Sequence, residues 1–271
     1  MAIINITPDS FSGDGQDAVD AAVSHALKAE TDGAAILDLG AESTRPGAIP
    51  VSAEEELRRL LPVLAALRAR TQLRLSIDTS KAIVAEAALR AGADMINDVW
   101  AGMHDPLMFQ VVSQAGCPIV LMHNRSQPAA VAPHTVAGAA SHAAPAYQNV
   151  VDDVIADLSE RVDAARAAGI QADRIILDPG IGFGKSVADN LRLVNGLERI
   201  KVALPYPVLL GTSRKSFIGQ VLGGLPVTER LEGTAATVAI GIARGADILR
   251  VHDVRAMTRV ARMAAAVVSQ Q

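Results

Sequence analysis

The chain has 271 residues, 50% of them hydrophobic and 20% charged, with a net charge of −4 and only 3% aromatic content. That composition folds around an aliphatic core, and the length fits one (β/α)8 barrel of about 250 residues. The acidic balance excludes a nucleic-acid partner. No run of about 18 apolar residues suggests a membrane span, and no signal sequence opens the chain, so the expected location is the cytoplasm.

Short apolar runs alternate with helical stretches from end to end. Residues 2–6 form the first run, which carries Asn5 near its end, and an Ala-rich helical stretch over 19–31 follows, with Gly33 placed to stop it. The second run, 35–39, contains Asp38. Ser52 and Glu55 make a capping box for the next helix, which Pro62 is expected to kink. The third run, 73–77, leads to Asp78, and Ser80 is placed to cap a helix over 81–90 that Gly92 stops. Residues 95–97 are the fourth run, ending in Asn97; residues 119–122 are the fifth, ending in Met122 and followed by His123. Cys117 is the only cysteine, which excludes an internal disulfide, and it reads as a small buried hydrophobe. Residues 124–145 are rich in Ala, Pro, Ser, Gly and His without periodicity and read as a mobile surface excursion, with a lid that contributes chemistry as the alternative. A helix over 150–168 ends at Gly169. The sixth run, 175–177, leads to Asp178; the seventh, 208–210, leads to Ser213, Arg214 and Lys215; the eighth, 248–251, carries Arg250 and leads to His252. Strand then helix, eight times over, predicts an α/β fold, a single-domain TIM barrel over 1–271, with a doubly wound open sheet as the structural alternative.

Active sites of such barrels lie at the C-terminal ends of the strands, so these polar residues are expected to meet at one mouth. Asp78, Asn97 and Asp178 supply acceptors and an amide. A carboxylate can take two parallel hydrogen bonds from an amino-pyrimidinone edge, which presents adjacent N–H and NH2 donors. Arg45, Lys215, Arg250 and His252 form a cationic group in an acidic chain, which points to an anionic substrate such as a phosphate. Residues 180–186, Gly-Ile-Gly-Phe-Gly-Lys-Ser, look like a phosphate loop. The P-loop pattern, however, needs glycine where Pro179 stands, and the dinucleotide pattern needs it where Lys185 stands.

The motifs together resemble those of dihydropteroate synthases. The resemblance is carried by residues 5–12 (Asn-Ile-Thr-Pro-Asp-Ser-Phe-Ser), 38–47 (Asp-Leu-Gly-Ala-Glu-Ser-Thr-Arg-Pro-Gly), 76–80 (Ser-Ile-Asp-Thr-Ser) and 96–98 (Ile-Asn-Asp). It continues through 121–123 (Leu-Met-His), 178–185 (Asp-Pro-Gly-Ile-Gly-Phe-Gly-Lys), 213–217 (Ser-Arg-Lys-Ser-Phe) and 250–253 (Arg-Val-His-Asp), in the family's order and over essentially the whole chain. It implies a barrel enzyme that condenses 6-hydroxymethyl-7,8-dihydropterin diphosphate with 4-aminobenzoate. By the same resemblance, Asp78, Asn97, Met122, Asp178, Phe183, Lys215 and Arg250 would hold the pterin. Asn5, Arg250 and His252 would hold the diphosphate, with Mg2+ on Asn5. Phe11, Thr44, Arg45, Pro46, Phe183, Ser213 and Lys215 would form the aminobenzoate pocket. Asp78, Asp178, Lys215, Arg250 and His252 would carry the catalysis, and the protein would be a homodimer and a sulfonamide target.

Two departures stand out. The family usually reads Phe-Ser-Asp-Gly-Gly after the first strand, whereas here Phe11-Ser12 is followed by Gly13-Asp14-Gly15, which shifts the acid by one place. The chain also begins almost at its first strand, where family members usually carry a short leader. A pterin-dependent methyltransferase would share the pterin-edge acids but lack Glu42-Ser-Thr-Arg-Pro46 and Ser213-Arg-Lys215. A non-catalytic pterin-binding paralogue is favoured only by the shifted Asp14.

Overall fold

A computed structural model describes residues 1–6, 16–42, 50–126 and 147–270. Expectations for Phe11, Asp14, Thr44, Arg45, Pro46 and nearly all of the 124–145 excursion lie outside the described residues.

Six parallel strands pair in sequence order: β1 (Ala2–Asn5), β2 (Ile36–Gly40), β3 (Arg74–Asp78), β4 (Met95–Asp98), β5 (Ile119–Met122) and β6 (Ile175–Asp178). A further parallel pair, β7 (Leu209–Leu210) and β8 (Ile248–Leu249), completes eight strands. Both seams are closed. Leu177 N–H donates to Pro207 O at 2.9 Å, and Ile3 N–H donates to Val251 O at 3.0 Å, with bridges Leu177–Val208 and Ala2–Val251. The sheet is therefore a closed barrel, and the open doubly wound alternative is excluded.

The helices of the barrel are α1 (Gln16–Thr31), α2 (Ala53–Arg68), α3 (Ala82–Arg90), α4 (Met108–Ala115), α5 (Val150–Ala167), α6 (Val187–Asn195), α7 (Leu197–Ala203), α8 (Ser216–Val221), α9 (Leu231–Ala243) and α10 (Val254–Val268). Ser52 Oγ accepts from Glu55 N–H at 3.2 Å, so that half of the expected capping box forms, while the Glu55 carboxylate turns to Arg58 and Arg59. α2 runs through Pro62 as one element. Ser80 does not cap α3. Lys81 takes the cap position without a side-chain bond, and Asp105 accepts the Ala82 N–H at 2.8 Å instead. Cys117 is buried and free, and burial pushes its thiol up to about 11.

Strand alternation positions the site. Met95, Val120 and Leu209, with Met1, Ile36, Ile176 and Ile248 packed on them, fill the bottom of the barrel. Two residues further along, the same strand faces present Asn97, Met122, Gly211, Ile3, Asp38, Asp178 and Arg250. The apolar floor thus gives way in a single step to a layer that carries Asn97, Asp38, Asp178 and Arg250. Register then aligns Asn5 with Gly40, Gly40 with Asp78, and Asp78 with Asn97 at the mouth.

Candidate active site

Arg250 organises one side of the mouth. Its Nε donates to Asp38 Oδ2 at 2.6 Å and a terminal nitrogen donates to Asp78 Oδ2 at 2.6 Å. Asp38 Oδ2 also accepts from Asn97 Nδ2 at 3.0 Å. That bond turns the Asn97 nitrogen away and leaves its oxygen as the acceptor facing elsewhere. Burial opposes the charge on Arg250, but Asp38 and Asp78 outweigh it, so its pKa lies above the usual arginine value. Burial pushes Asp78 up to about 7 against the pull of Arg250. Asp38 Oδ1 and Asp78 Oδ1 are buried with no hydrogen-bond partner among the described residues. An orphaned buried acceptor costs about 1–3 kcal/mol, which a donor-bearing ligand recovers.

The opposite side is built on β6 and β7. Asp178 Oδ1 accepts the Gly180 N–H at 2.7 Å, and burial raises its pKa despite Lys215. The Lys215 ammonium donates to Ile181 O and lies 4.7 Å from the Phe183 ring centroid. Burial holds Lys215 down to about 8. Gly211 shows how closely these groups converge. A Cβ there would lie 3.9 Å from Asp178 Oδ2, 3.9 Å from Arg250 Cβ and 4.0 Å from Lys215 Nζ. Ser213 and His252 meet beside them, with His252 N–H donating to Ser213 Oγ at 3.1 Å and its Nδ1 3.0 Å from the same oxygen. Met122 pairs in register with Asp178.

Asn5 ends β1 at the mouth, and its side chain makes no hydrogen bond among the described residues. Among the described residues no group of three His, Cys, Asp or Glu side chains could hold a metal. A neutral amide oxygen suits Mg2+ as one hard ligand when substrate phosphates and water supply the others, so Asn5 fits that limited role.

The pterin binding enzyme family model matches residues 1–252. A dihydropteroate synthase of Bacillus subtilis (strain 168) is 48% identical over 264 residues, 97% of this chain and 86% of that protein. The chain belongs to the dihydropteroate synthase family. Its counterpart from Clostridium beijerinckii (strain ATCC 51743 / NCIMB 8052) is 47% identical over 97% of this chain and 91% of that one. The dihydropteroate synthase structure from Xanthomonas albilineans with 4-aminobenzoic acid superposes with a TM-score of 0.88 at 45% identity, covering 98% of this chain and 92% of that one. The Yersinia pestis dihydropteroate synthase with a sulfonamide drug gives 0.89 at 38%, covering 99% and 94%. As a member of the dihydropteroate synthase family the chain is a transferase.

For a dihydropteroate synthase site, the sequence placed Asp38 among the polar residues of the mouth without assigning it a role, and the structure puts it at the centre. Asp38 is fully buried and joins Arg250 to Asn97. Its signal was the two-residue period, which puts Asp38 on the same strand face as Ile36 and Gly40. Among the described residues no helix is long and apolar enough to cross a membrane.

Proposed function

We infer that this chain joins 6-hydroxymethyl-7,8-dihydropterin diphosphate to 4-aminobenzoate, giving 7,8-dihydropteroate and diphosphate. The observation that carries the reading is one mouth holding buried acceptors on Asp78, Asn97 and Asp178 beside the cations of Arg250 and Lys215. The acceptors suit the donor-rich edge of the pterin, with Met122 and Phe183 against the ring. Arg250, His252 and Asn5 face the diphosphate. Ser213, Lys215 and Phe183, with Phe11, Thr44, Arg45 and Pro46, form the aminobenzoate side.

The chemistry asks for positioning and neutralisation. The bond between the pterin methylene carbon and the diphosphate oxygen breaks, and its electron pair leaves with diphosphate. The aniline nitrogen forms the new C–N bond from its lone pair and then loses a proton, so no strong base is needed. Arg250 and His252 stabilise the departing charge, while Asp78, Asn97 and Asp178 hold the ring. Mg2+, when bound at Asn5, adds charge neutralisation on the diphosphate oxygens.

Asp178→Asn is the direct test. It replaces an acceptor by a donor opposite donors and is expected to weaken pterin binding by about 2–4 kcal/mol in calorimetry. Unchanged affinity defeats the pterin-edge assignment. Turnover with both substrates separates this reading from a binding-only paralogue and from a methyltransferase.

Diphosphate and Mg2+ are expected to strengthen pterin-fragment binding together, since each neutralises the other. They should then allow a sulfonamide to bind where free enzyme binds it weakly. Tight aminobenzoate binding to the empty enzyme overturns this order. A homodimer is the proposed assembly. The helix α9 is apolar and exposes Leu231 and Ile240, and α10 beside it exposes Met263 and Val267. Sedimentation giving only monomer at micromolar concentration rejects it. The proposed location is the cytoplasm, which recovery in a membrane or periplasmic fraction would contradict.

A further inference from the structure

The glycine-rich loop after β6 is folded around its own lysine. Gly180, Gly182 and Gly184 have φ of 68°, 85° and 58°, in the left-handed region. At Gly180 a Cβ would lie 1.8 Å from His123 O, and at Gly184 one would lie 2.9 Å from Ser126 N, so the turns also need the close approach that only glycine permits. Inside them sits the Lys185 ammonium. It lies 2.9 Å from Gly180 O, 3.0 Å from Phe183 O and 2.9 Å from His123 Nδ1, and burial pulls its pKa down to about 7 against the opposing charge of Asp178. An ammonium has three N–H donors, and all three are taken.

Because His123 Nδ1 accepts, its proton must sit on Nε2, which faces Asp157 Oδ2 of α5 at 3.0 Å. Burial first, and the Lys185 charge second, hold His123 down at about 3, so the ring stays neutral. Asp157 also takes both arms of Arg125, at 2.5 and 2.8 Å. The Arg125 guanidinium lies 5.1 Å from the Tyr147 ring centroid, and Tyr147 OH donates to Gly184 O at 3.2 Å. The chain of contacts thus leaves the loop through Lys185 and returns to it through Tyr147.

We propose that Lys185, held by His123, Asp157, Arg125 and Tyr147, is the internal hydrogen-bond donor that positions the β6 loop and so fixes the wall of the site made by Phe183 and Lys215. Everything on that wall depends on this loop. Ile181 O receives Lys215, Phe183 lies under its ammonium, and Gly180 N–H orients Asp178. Lys185 touches no reacting atom and is a positioning residue. Removing its donors strands the carbonyls of Gly180 and Phe183, and the loop must reorganise to rehydrate them. The resemblance of this segment to a phosphate loop has the same explanation. The carbonyls converge on a built-in lysine donor, where a phosphate loop would turn N–H groups toward an anion.

This inference rests on the assignment of Phe183 and Lys215 to the aminobenzoate side. The test uses the full chain with Lys185→Met, alongside Asp157→Asn and Tyr147→Phe, which reach the loop indirectly. Histidine-selective 15N NMR, with His123 assigned through His123→Gln, is expected to show an Nε2-protonated ring in the wild type. That ring should not titrate between about pH 5 and about pH 9. In Lys185→Met, Nδ1 loses its donor, so the ring is expected to lose its exclusive Nε2-protonated form and its pKa to rise above that of the wild type. Steady-state kinetics should show KM for 4-aminobenzoate raised about tenfold or more, with KM for the pterin diphosphate changed less than about threefold. Should Lys185→Met fail to fold, the other two variants are expected to raise the aminobenzoate KM several-fold. A titrating His123 in the wild type overturns the proposal, as does an unchanged aminobenzoate KM in every folded variant or an equal rise in both KM values. If the wild type shows no turnover of aminobenzoate at all, the functional reading fails instead, and the His123 spectrum still decides whether Lys185 holds the network.

Discussion

Arg250→Met is expected to destabilise the fold by about 3–5 kcal/mol and to remove the diphosphate dependence of pterin binding. The guanidinium is the sole cation within hydrogen-bond reach of two buried carboxylates among the described residues, at 2.6 Å from each. Removing one partner of a buried pair leaves an uncompensated charge, which is what makes such truncations costly. The size of the loss depends on pH, and its sign follows from Asp78. Its folded pKa already stands at about 7, above the ordinary carboxylate value. Arg250 is the largest influence lowering it, so the variant's Asp78 titrates higher still. The native state then binds more protons than the unfolded one, and stability falls as pH rises from the unfolded pKa of about 3.9 through the folded value. The melting-temperature deficit of the variant is therefore expected to be larger at about pH 8 than at about pH 5. A deficit independent of pH over that window would show that Asp78 does not respond to Arg250.

Why this pair was only half legible in the sequence is a matter of distance along the chain. Asp78, Asn97 and Asp178 each end an apolar run and Arg250 lies one residue short of the end of the eighth, and strand ends at a barrel mouth are where chemistry is expected. Asp38 sits inside a run, and its partner Arg250 is 212 positions away. No local pattern reports a contact of that span; only closure of the barrel between β8 and β1 brings the two residues face to face.

Helix starts show the same limit. Ser52 was readable as a cap because its acceptor serves an N–H three residues on. The start of α3 was misread because its first N–H is satisfied by Asp105, from beyond the following strand. Ser80 has the right residue type, but Thr79 Oγ already receives the Lys81 N–H at 3.2 Å, and the helix begins one residue later. The two-residue strands β7 and β8 were legible despite their length. Val208 and Val251 continue their apolar runs into the seams.

The second large effect is expected just beyond β3, three residues after Asp78. Lys81 lies just before α3 with its ammonium 2.6 Å from Glu42 Oε2 and 2.7 Å from Glu56 Oε2. Glu56, within α2, is fully buried, and its Oε1 has no partner among the described residues. Burial opposes the charge on Lys81, but the two carboxylates outweigh it and raise its pKa above the usual lysine value. The lysine contribution is then present throughout the neutral range and is lost only as pH rises through that raised value. Lys81→Met leaves Glu56 charged, buried and without its cation, and is expected to cost about 3–5 kcal/mol. For a chain of this size that is a fall on the order of 10 °C in melting temperature. Replacing Glu56 by leucine in the same molecule removes the stranded charge and is expected to restore most of the loss, because a packed apolar pair needs no counter-ion. The functional consequence runs through Glu42. Its Oε1 accepts the Val51 N–H at 3.0 Å, across the segment that holds Thr44, Arg45 and Pro46. Glu42 therefore ties the two stems of that segment together, and Lys81 holds Glu42. The double variant should recover stability while keeping a raised KM for 4-aminobenzoate, since its stems have lost their cation. Full recovery of both in the double variant would confine Lys81 to stability, and an unchanged melting temperature in the single variant would show that Glu56 does not depend on it.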